Sequence, residues 1–401
     1  MNKPDKKLTI TCIDNVCDPA KPGASGHSDI IWEAGEYLLK AGHRVRIVGD
    51  YTTNNFPYGH ERLEVVPFKS NPFYRRNGLG RVLHVRTAYK RVQSYKDTDL
   101  FFTTDAFSAG VTARLSKQVP VLFLTPANIY QRQASSYKLD PIASFFYRLV
   151  SHDAAKLSRH IIATSRDLKQ WWIKTGAKSE NISVIPLGAN IEAFAKLQSK
   201  PAPEKLRLLY VARFEGGNNP QLLVDLALHL KKLQVDFELS AVGAGSLLES
   251  VKEDVVKHKL DNVIKFHGYV PYEELPTVYS SHDVFVFMRE AGGPPRVVMQ
   301  AMASGLAVVA FNSSGLEDYL ETGKSGYLVR NGHIGEIAST VARLYQNREH
   351  LAHIQTHAKA RAVDTFDWRS VTAKYNAVLS TVIHEEHVVR QQKVKKEVRS
   401  L

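Results

Sequence analysis

The stretch Val284-Phe-Val-Phe-Met288-Arg-Glu290-Ala-Gly-Gly-Pro-Pro-Arg296-Val-Val-Met-Gln300-Ala-Met-Ala-Ser-Gly305 changes character twice. Val284–Met288 is an unbroken apolar, β-branched and aromatic run of strand length. Glu290 to Pro295 then form a Gly/Pro loop whose backbone amides carry little side-chain cover. From Arg296 the spacing turns helical, and Gly305 closes the pattern. A buried strand running through an open loop into a helix is the repeating unit of a doubly wound parallel sheet. The unpaired N–H groups and the positive end of the helix dipole face that loop, which favours a phosphate-bearing ligand. Glu290 and Gln300 are able to accept hydrogen bonds from sugar or ribose hydroxyls. A plainer reading stands beside this one: a tight turn into a helix whose small residues serve packing.

The same alternation runs outward in both directions. Strand candidates in the second half are Leu206–Ala212, Phe237–Val242, Val263–His267, Ala307–Phe311 and Gly326–Val329. In the first half they are Leu8–Asp14, Val45–Asp50, Leu63–Phe68, Asp99–Thr104, Pro120–Thr125, His160–Ser165 and Ile182–Leu187. Between the first two of these, Ser28–Lys40 carries apolar residues at helical spacing, and Gly42 stops it. The two series are separated by Gln198-Ser-Lys-Pro-Ala-Pro-Glu-Lys205, a polar, Pro-containing connector. The expected organisation is a Rossmann-like domain over 1–198, a second over 199–367, and a C-terminal helix with a basic tail over 368–401. That helix is expected to run to about Ile383 and to pack back on the first domain, the basic remainder being either frayed or a surface helix. The fold class is α/β: two Rossmann-like doubly wound parallel-sheet domains facing each other across a cleft. Ligands are expected outside the carboxyl ends of the strands.

Composition narrows the function classes. With 401 residues, 44% hydrophobic and 23% charged, the chain is neither wholly disordered nor a fibre, and two cysteines are too few for a disulfide scaffold. Cys12 and Cys17 read as thiols of a reducing compartment. The first apolar run, Leu8–Ile13, is only strand-length, so neither a signal peptide nor a membrane span is expected. A net charge of +13 points to an anionic partner: nucleic acid, a phosphate-bearing ligand, or lipid headgroups. Basic and aromatic residues interleave in Phe68-Lys69 and Phe73-Tyr74-Arg75-Arg76, continuing through Arg81, Arg86, Tyr89, Lys90 and Arg91, and again in Phe145-Phe146-Tyr147-Arg148. That mixture suits an anionic membrane surface; a solvated basic helix beside core aromatics accounts for it equally. No helix-turn-helix, zinc-knuckle or RNA-binding signature occurs, so nucleic acid is not expected. No His-Glu-x-x-His, Asp-x-Asp or metal-spaced cluster stands out, and Gly23–Gly26 lacks the full dinucleotide fingerprint, so neither metal nor redox chemistry is expected.

Several further blocks stand in order along the chain: Gly23-Ala-Ser-Gly26; Ala41-Gly-His-Arg-Val45; Ile185-Pro-Leu-Gly-Ala-Asn190 with Phe194; and Tyr210-Val-Ala-Arg213-Phe214. Val242-Gly-Ala-Gly245, Phe266-His-Gly-Tyr-Val-Pro271, the block ending Ala301–Gly305, Gly315-Leu-Glu317 and Gly323–Val329 follow. Taken in order, these blocks resemble the retaining GT-B glycosyltransferases called group 1 or GT4. The resemblance implies a metal-independent, retaining transfer of a sugar from a UDP- or GDP-linked donor to a glycan or lipid-linked acceptor. It implies no cofactor beyond that co-substrate. The implied setting is cytoplasmic, peripheral on the inner face of the cell membrane, in polysaccharide or glycolipid assembly. The donor diphosphate would lie near Arg213, Asn218, Gly243, Gly245 and the loop carrying Gly292, Gly293, Arg296 and Val297. Base and ribose would lie near Tyr269, Val270 and Gln300. The acceptor would approach Gly23, Gly26, His27, Asp105 and Asn128. Arg213, Glu290 and Asp105 are the catalytic candidates.

This sequence departs from the family pattern in two places. Gln300 stands where the second of two glutamates is usual, with Gly292 eight residues earlier and Glu290 ten. Asn218 stands five residues after Arg213 where a lysine is usual, supplying hydrogen bonds but no charge. Arg296 or Lys324 would compensate if turned inward. These losses keep a second class open, a non-catalytic GT-B scaffold that binds glycans or proteins. Asp105 likewise carries two readings, a bond to an acceptor hydroxyl or a helix N-cap. His27 is either a ligand contact or a solvent-facing loop side chain.

Overall fold

A computed structural model describes residues 7–13, 26–49, 59–67, 78–126, 141–197, 205–289, 296–313 and 315–399. The first sheet contains β1 (Thr9–Ile13), β2 (Arg44–Gly49), β3 (Leu63–Pro67), β4 (Leu100–Thr103), β5 (Val121–Thr125), β6 (His160–Ala163) and β7 (Ile182–Val184). The second contains β8 (Leu206–Val211), β9 (Phe237–Val242), β10 (Ile264–Gly268), β11 (Val284–Phe287), β12 (Ala307–Phe311) and β13 (Tyr327–Val329). Each expected strand is present, with ends shifted by a few residues at most. The orders are β3-β2-β1-β4-β5-β6-β7 and β10-β9-β8-β11-β12-β13, every pairing parallel. β4, β5, β11 and β12 are buried at every residue. A parallel sheet covered by helices on both faces demands continuous apolar strands, which Leu-Phe-Phe-Thr and Val-Phe-Val-Phe supply.

Two compact units result. The first takes the described residues up to Pro126, those from Pro141 to Ile185, and the chain from Trp368 onward; the second takes Pro186–Asp367. The division thus precedes the polar connector expected to mark it. Residues 186–194 join the second unit because their partners lie there. Ala189 N–H donates to Phe366 O at 2.9 Å, Leu187 N donates to Tyr319 Oη at 2.8 Å, and the buried Phe194 ring packs edge-on to Tyr279 at 5.4 Å.

The C-terminal helix belongs to the first unit. Trp368, fully buried, donates from Nε1 to Glu33 at 2.9 Å and stacks on Tyr37 at 5.6 Å. The helix continues past Ile383 to Arg399, the helical one of the two readings of the basic remainder. Residues 384–399 contain neither glycine nor proline, so nothing local ends it. The helix Gly26–Lys40 ends as expected at Gly42, where His43 N donates to Leu38 O and Gly42 N to Leu39 O. No helix among the described residues is long and apolar enough to cross a membrane. Cys12 is buried in β1, and Cys17 lies outside the described residues.

Arg46, in the middle of β2, is 1% exposed, which its strand pattern does not announce. Its guanidinium reaches Glu64 at 2.9 Å and Asp97 at 3.1 Å, and lies 3.9 Å over the Tyr95 ring. The hydrogen bond from Arg46 is the main reason that the Asp97 carboxyl sits below its ordinary pKa of 3.8. A depressed carboxylate stabilises the fold above the unfolded value, and that contribution disappears as pH falls below 3.8 through the folded value. Asp97 is partly solvated, so its share is about 1 kcal/mol or less. All four tryptophans (Trp32, Trp171, Trp172 and Trp368) lie in the first unit, so their fluorescence follows that unit. In acid titrations followed this way, Asp97→Asn should flatten the loss of stability below pH 3.8 relative to the parent.

Candidate functional site

In the second sheet the order of winding reverses between β8 and β11, so their carboxyl ends open the crevice where doubly wound sheets bind ligands. Ala212-Arg213-Phe214 leaves β8 there. Phe214 is fully buried against Tyr210 and Phe266, with ring centroids 5.9 and 6.2 Å away. Alternation then leaves the neighbouring Arg213 exposed. The helix Arg296–Ala303 follows β11 with Arg296 and Val297 half-buried and Gln300 buried. The intervening loop, with Glu290, Gly292 and Gly293, lies outside the described residues.

The turn after Arg213 is closed by its own side chains. Asn218 Nδ2 donates to the Arg213 carbonyl at 2.8 Å, and Asn218 O accepts from Tyr210 Oη at 3.0 Å. One N–H of the Asn218 amide is thus engaged in shaping the loop that presents Arg213. Asn219, in the left-handed region at φ 51°, donates from Nδ2 to Met288 O at 3.0 Å. That bond ties the β8 and β11 ends together across the switch point.

Gly243 and Gly245, at φ 136° and 156°, serve the close approach of three strand ends. A Cβ on Gly243 would run into Ala212 O, and one on Gly245 into Phe214 O. Gly243 N donates to Gly268 O at 2.7 Å, and Phe214 N to Ala244 O at 2.9 Å. Their absent side chains are therefore required by packing, whatever else the loop contacts. Glu215 completes the clamp, accepting from Ser246 N at 3.2 Å and Ser246 Oγ at 2.8 Å. Those bonds, with the nearby charge of Arg213, hold the Glu215 carboxyl below the usual carboxylate range. Motif reasoning misses Glu215; the available signal is an acid two residues after Arg213 and a serine directly after Gly245.

Beyond β10, Tyr269 is 77% exposed and Val270 is half-buried, an aromatic face available for stacking. Lys324 is not a replacement cation turned inward: it is exposed and pairs with Glu321 at 3.1 Å.

In the first unit the switch point falls between β1 and β4. Asp105 follows β4, and its capping reading prevails. It accepts from Phe107 N at 2.8 Å and Ser108 N at 3.1 Å, and from the Ser108 hydroxyl, at the start of the helix Ala106–Leu115. A carboxylate engaged through both oxygens is a poor acceptor-activating group, so Asp105 is reassigned to the helix. Gly26 opens the helix that ends at Lys40, whereas Gly23 and Asn128 lie outside the described residues, as does the side chain of His27. Among the described residues, no group of three or more His, Cys, Asp or Glu side chains is arranged to hold a metal ion.

Comparison with known proteins agrees with this geometry. Residues 192–361 match the family described as glycosyl transferases group 1, and residues 24–193 match glycosyltransferase family 4. A putative colanic acid biosynthesis glycosyltransferase, WcaL of Salmonella typhimurium, is 25% identical over 214 residues, 52% of this chain and 53% of that protein. The chain spans about half the length of the first curated relatives it matches. Sucrose-phosphate synthase from Thermosynechococcus elongatus superposes with a TM-score of 0.79 at 18% identity, covering 95% of this chain and 100% of that one. HepE of Anabaena, solved in complex with UDP, superposes at 0.72 and 18% identity, covering 94% and 100%. The two family matches adjoin and run from residue 24 to residue 361 over two parallel-sheet units, and the chain belongs to the GT4-like glycosyltransferases of GT-B fold.

Proposed function

We propose that this chain is an active, retaining and metal-independent glycosyltransferase. It transfers a sugar from a nucleotide-diphosphate donor to a glycan or lipid-linked acceptor in polysaccharide or glycolipid assembly. The observation that carries the reading is the exposed Arg213 at the β8/β11 switch point, with the helix Arg296–Ala303 beginning at the same strand edge. A guanidinium and a helix N-terminus are two of the groups that bind a diphosphate without a metal. The name of WcaL and the UDP in the HepE structure support the donor class and the setting.

In the proposed step the bond from the sugar's anomeric carbon to the donor phosphate oxygen breaks, and the acceptor oxygen bonds that carbon from the same face. The acceptor proton passes to the departing phosphate. The developing charge on the diphosphate is met by Arg213 and the helix dipole, so the protein's work is positioning and electrostatics. Tyr269 offers its ring to the base, and Gln300 a neutral hydrogen-bonding group to the ribose.

Calorimetric titration with UDP and with GDP, followed by assay of donor-sugar hydrolysis, tests this. One nucleotide should bind with micromolar to millimolar affinity, and its sugar conjugate should be slowly hydrolysed. If neither nucleotide binds at millimolar concentration, the non-catalytic scaffold is the better description.

A further inference from the structure

In the second unit, the helix Arg348–Phe366 carries His350, His353 and His357 at intervals of three and four residues. Residues so spaced stand one above another on a single helix face. Their rings meet. His353 lies against His357 with centroids 4.0 Å apart and planes 36° from each other, and His350 stacks on His353 at 6.2 Å and 15°. His353 is exposed, and its two neighbours are half-buried.

Hydrogen bonds give the three rings different parts. His357 Nδ1 donates to the His353 carbonyl at 2.9 Å, so in the neutral ring Nε2 keeps its lone pair. A histidine that binds a metal usually donates its other ring N–H in this way, to a carbonyl or a carboxylate. His229, His258 and His282 make the same bond to a carbonyl one turn back, but among the described residues no second imidazole lies against them. His350 is held differently: its Nε2 is 2.6 Å from the Tyr327 hydroxyl. Tyr327 opens β13, so that bond fixes His350 to the sheet as a wall beside His353.

We infer that His353 and His357 together bind a divalent metal ion that prefers imidazole, such as nickel, copper or zinc. Two nitrogens each about 2.1 Å from one ion stand about 3–3.5 Å apart. Rings with centroids 4.0 Å apart reach that spacing by small side-chain rotations. With two protein ligands, water completes the shell. Magnesium and calcium are poor occupants, since they take oxygen ligands. Stacking alone explains a ring contact, but at an exposed position it gains little from burial, and any aromatic pair would serve it. β12 separates β13 from β11, so the ion takes no part in the transfer proposed above, and the inference does not rest on that reading.

The test is calorimetric titration of the tag-free full chain with nickel(II) chloride, beside His353→Ala and His357→Ala. The chain has 16 histidines, so the site is read as the difference between parent and variant. Each substitution should weaken one nickel equivalent by about 10- to 100-fold or more, the lower range being the cost of losing only an outer-shell partner. His350→Ala should keep that equivalent, because its ring is the wall and not a ligand. With copper(II), electron paramagnetic resonance should show two coordinated nitrogens in the parent and one in each ligand variant. Nickel should also raise the circular dichroism Tm of the second unit and leave the tryptophan transition of the first in place. Unchanged nickel uptake in both ligand variants, equal competition by magnesium, or loss of the equivalent in His350→Ala would each overturn the inference. UDP should bind the ligand variants as it binds the parent, so a misread metal site stays distinct from a misread transferase.

Discussion

In Arg213→Ala, UDP binding should weaken by about 10- to 100-fold, the range for losing a hydrogen bond to a charged group. Uridine binding should stay close to that of the parent, because the guanidinium is proposed to hold phosphate and not base. Transfer should fall further, by about 100-fold or more in kcat, if Arg213 meets charge that grows as the bond breaks. Arg213→Lys keeps the charge but loses the planar fork, so it should recover affinity before rate. Asn218 does not stand in for Arg213, since a neutral amide brings no charge to the diphosphate. Lys324 does not either, being paired with Glu321. Equal weakening of UDP and uridine would remove Arg213 from the diphosphate and leave it a loop-shaping role.

The second large effect lies at the opposite ends of the same two strands. Asp283, 2% exposed, accepts from Arg207 N at 2.9 Å, Nε at 3.0 Å and Nη2 at 2.6 Å, pinning the start of β8 to the start of β11. Asp283→Ala leaves a largely buried guanidinium without this counter-charge, which costs about 3–5 kcal/mol. For a unit of this size that is a fall of about 10 °C in Tm. The second unit contains no tryptophan, so the change should appear in far-ultraviolet circular dichroism and leave the fluorescence transition of the first unit nearly in place. A Tm close to the parent's by both probes would mean that the pair is replaceable. Because Arg207 and Asp283 sit at the amino ends of their strands, away from the switch point, Asp283→Ala should not change UDP affinity in the fraction that remains folded.

The two experiments separate a site from its scaffold, and the same separation runs through the sequence. Apolar runs such as Val284–Met288 and Ala307–Phe311 are visible because a strand covered on both faces has no polar side to hide behind. Gly42 marks a helix end for a local reason, since the bonds it completes reach back only a few residues. Family-wide motifs point to Arg213 and the glycine loops on the same footing, as order along the chain.

Partners distant in sequence are another matter. That Asp105 caps a helix is one of two local readings, and only the direction of its oxygens chooses between them. Glu215 gains its role from Ser246, and Asn219 from Met288, 31 and 69 residues away. Arg46 is buried because Glu64, Asp97 and Tyr95 converge on it from outside its own strand. Periodicity and turn chemistry act over a few residues, so they settle which segments are strands and helices and where a second sheet begins. Which charges meet, which amides are spent, and which glycines are held by a facing carbonyl depend on strand order, and that is decided only when the sheets assemble.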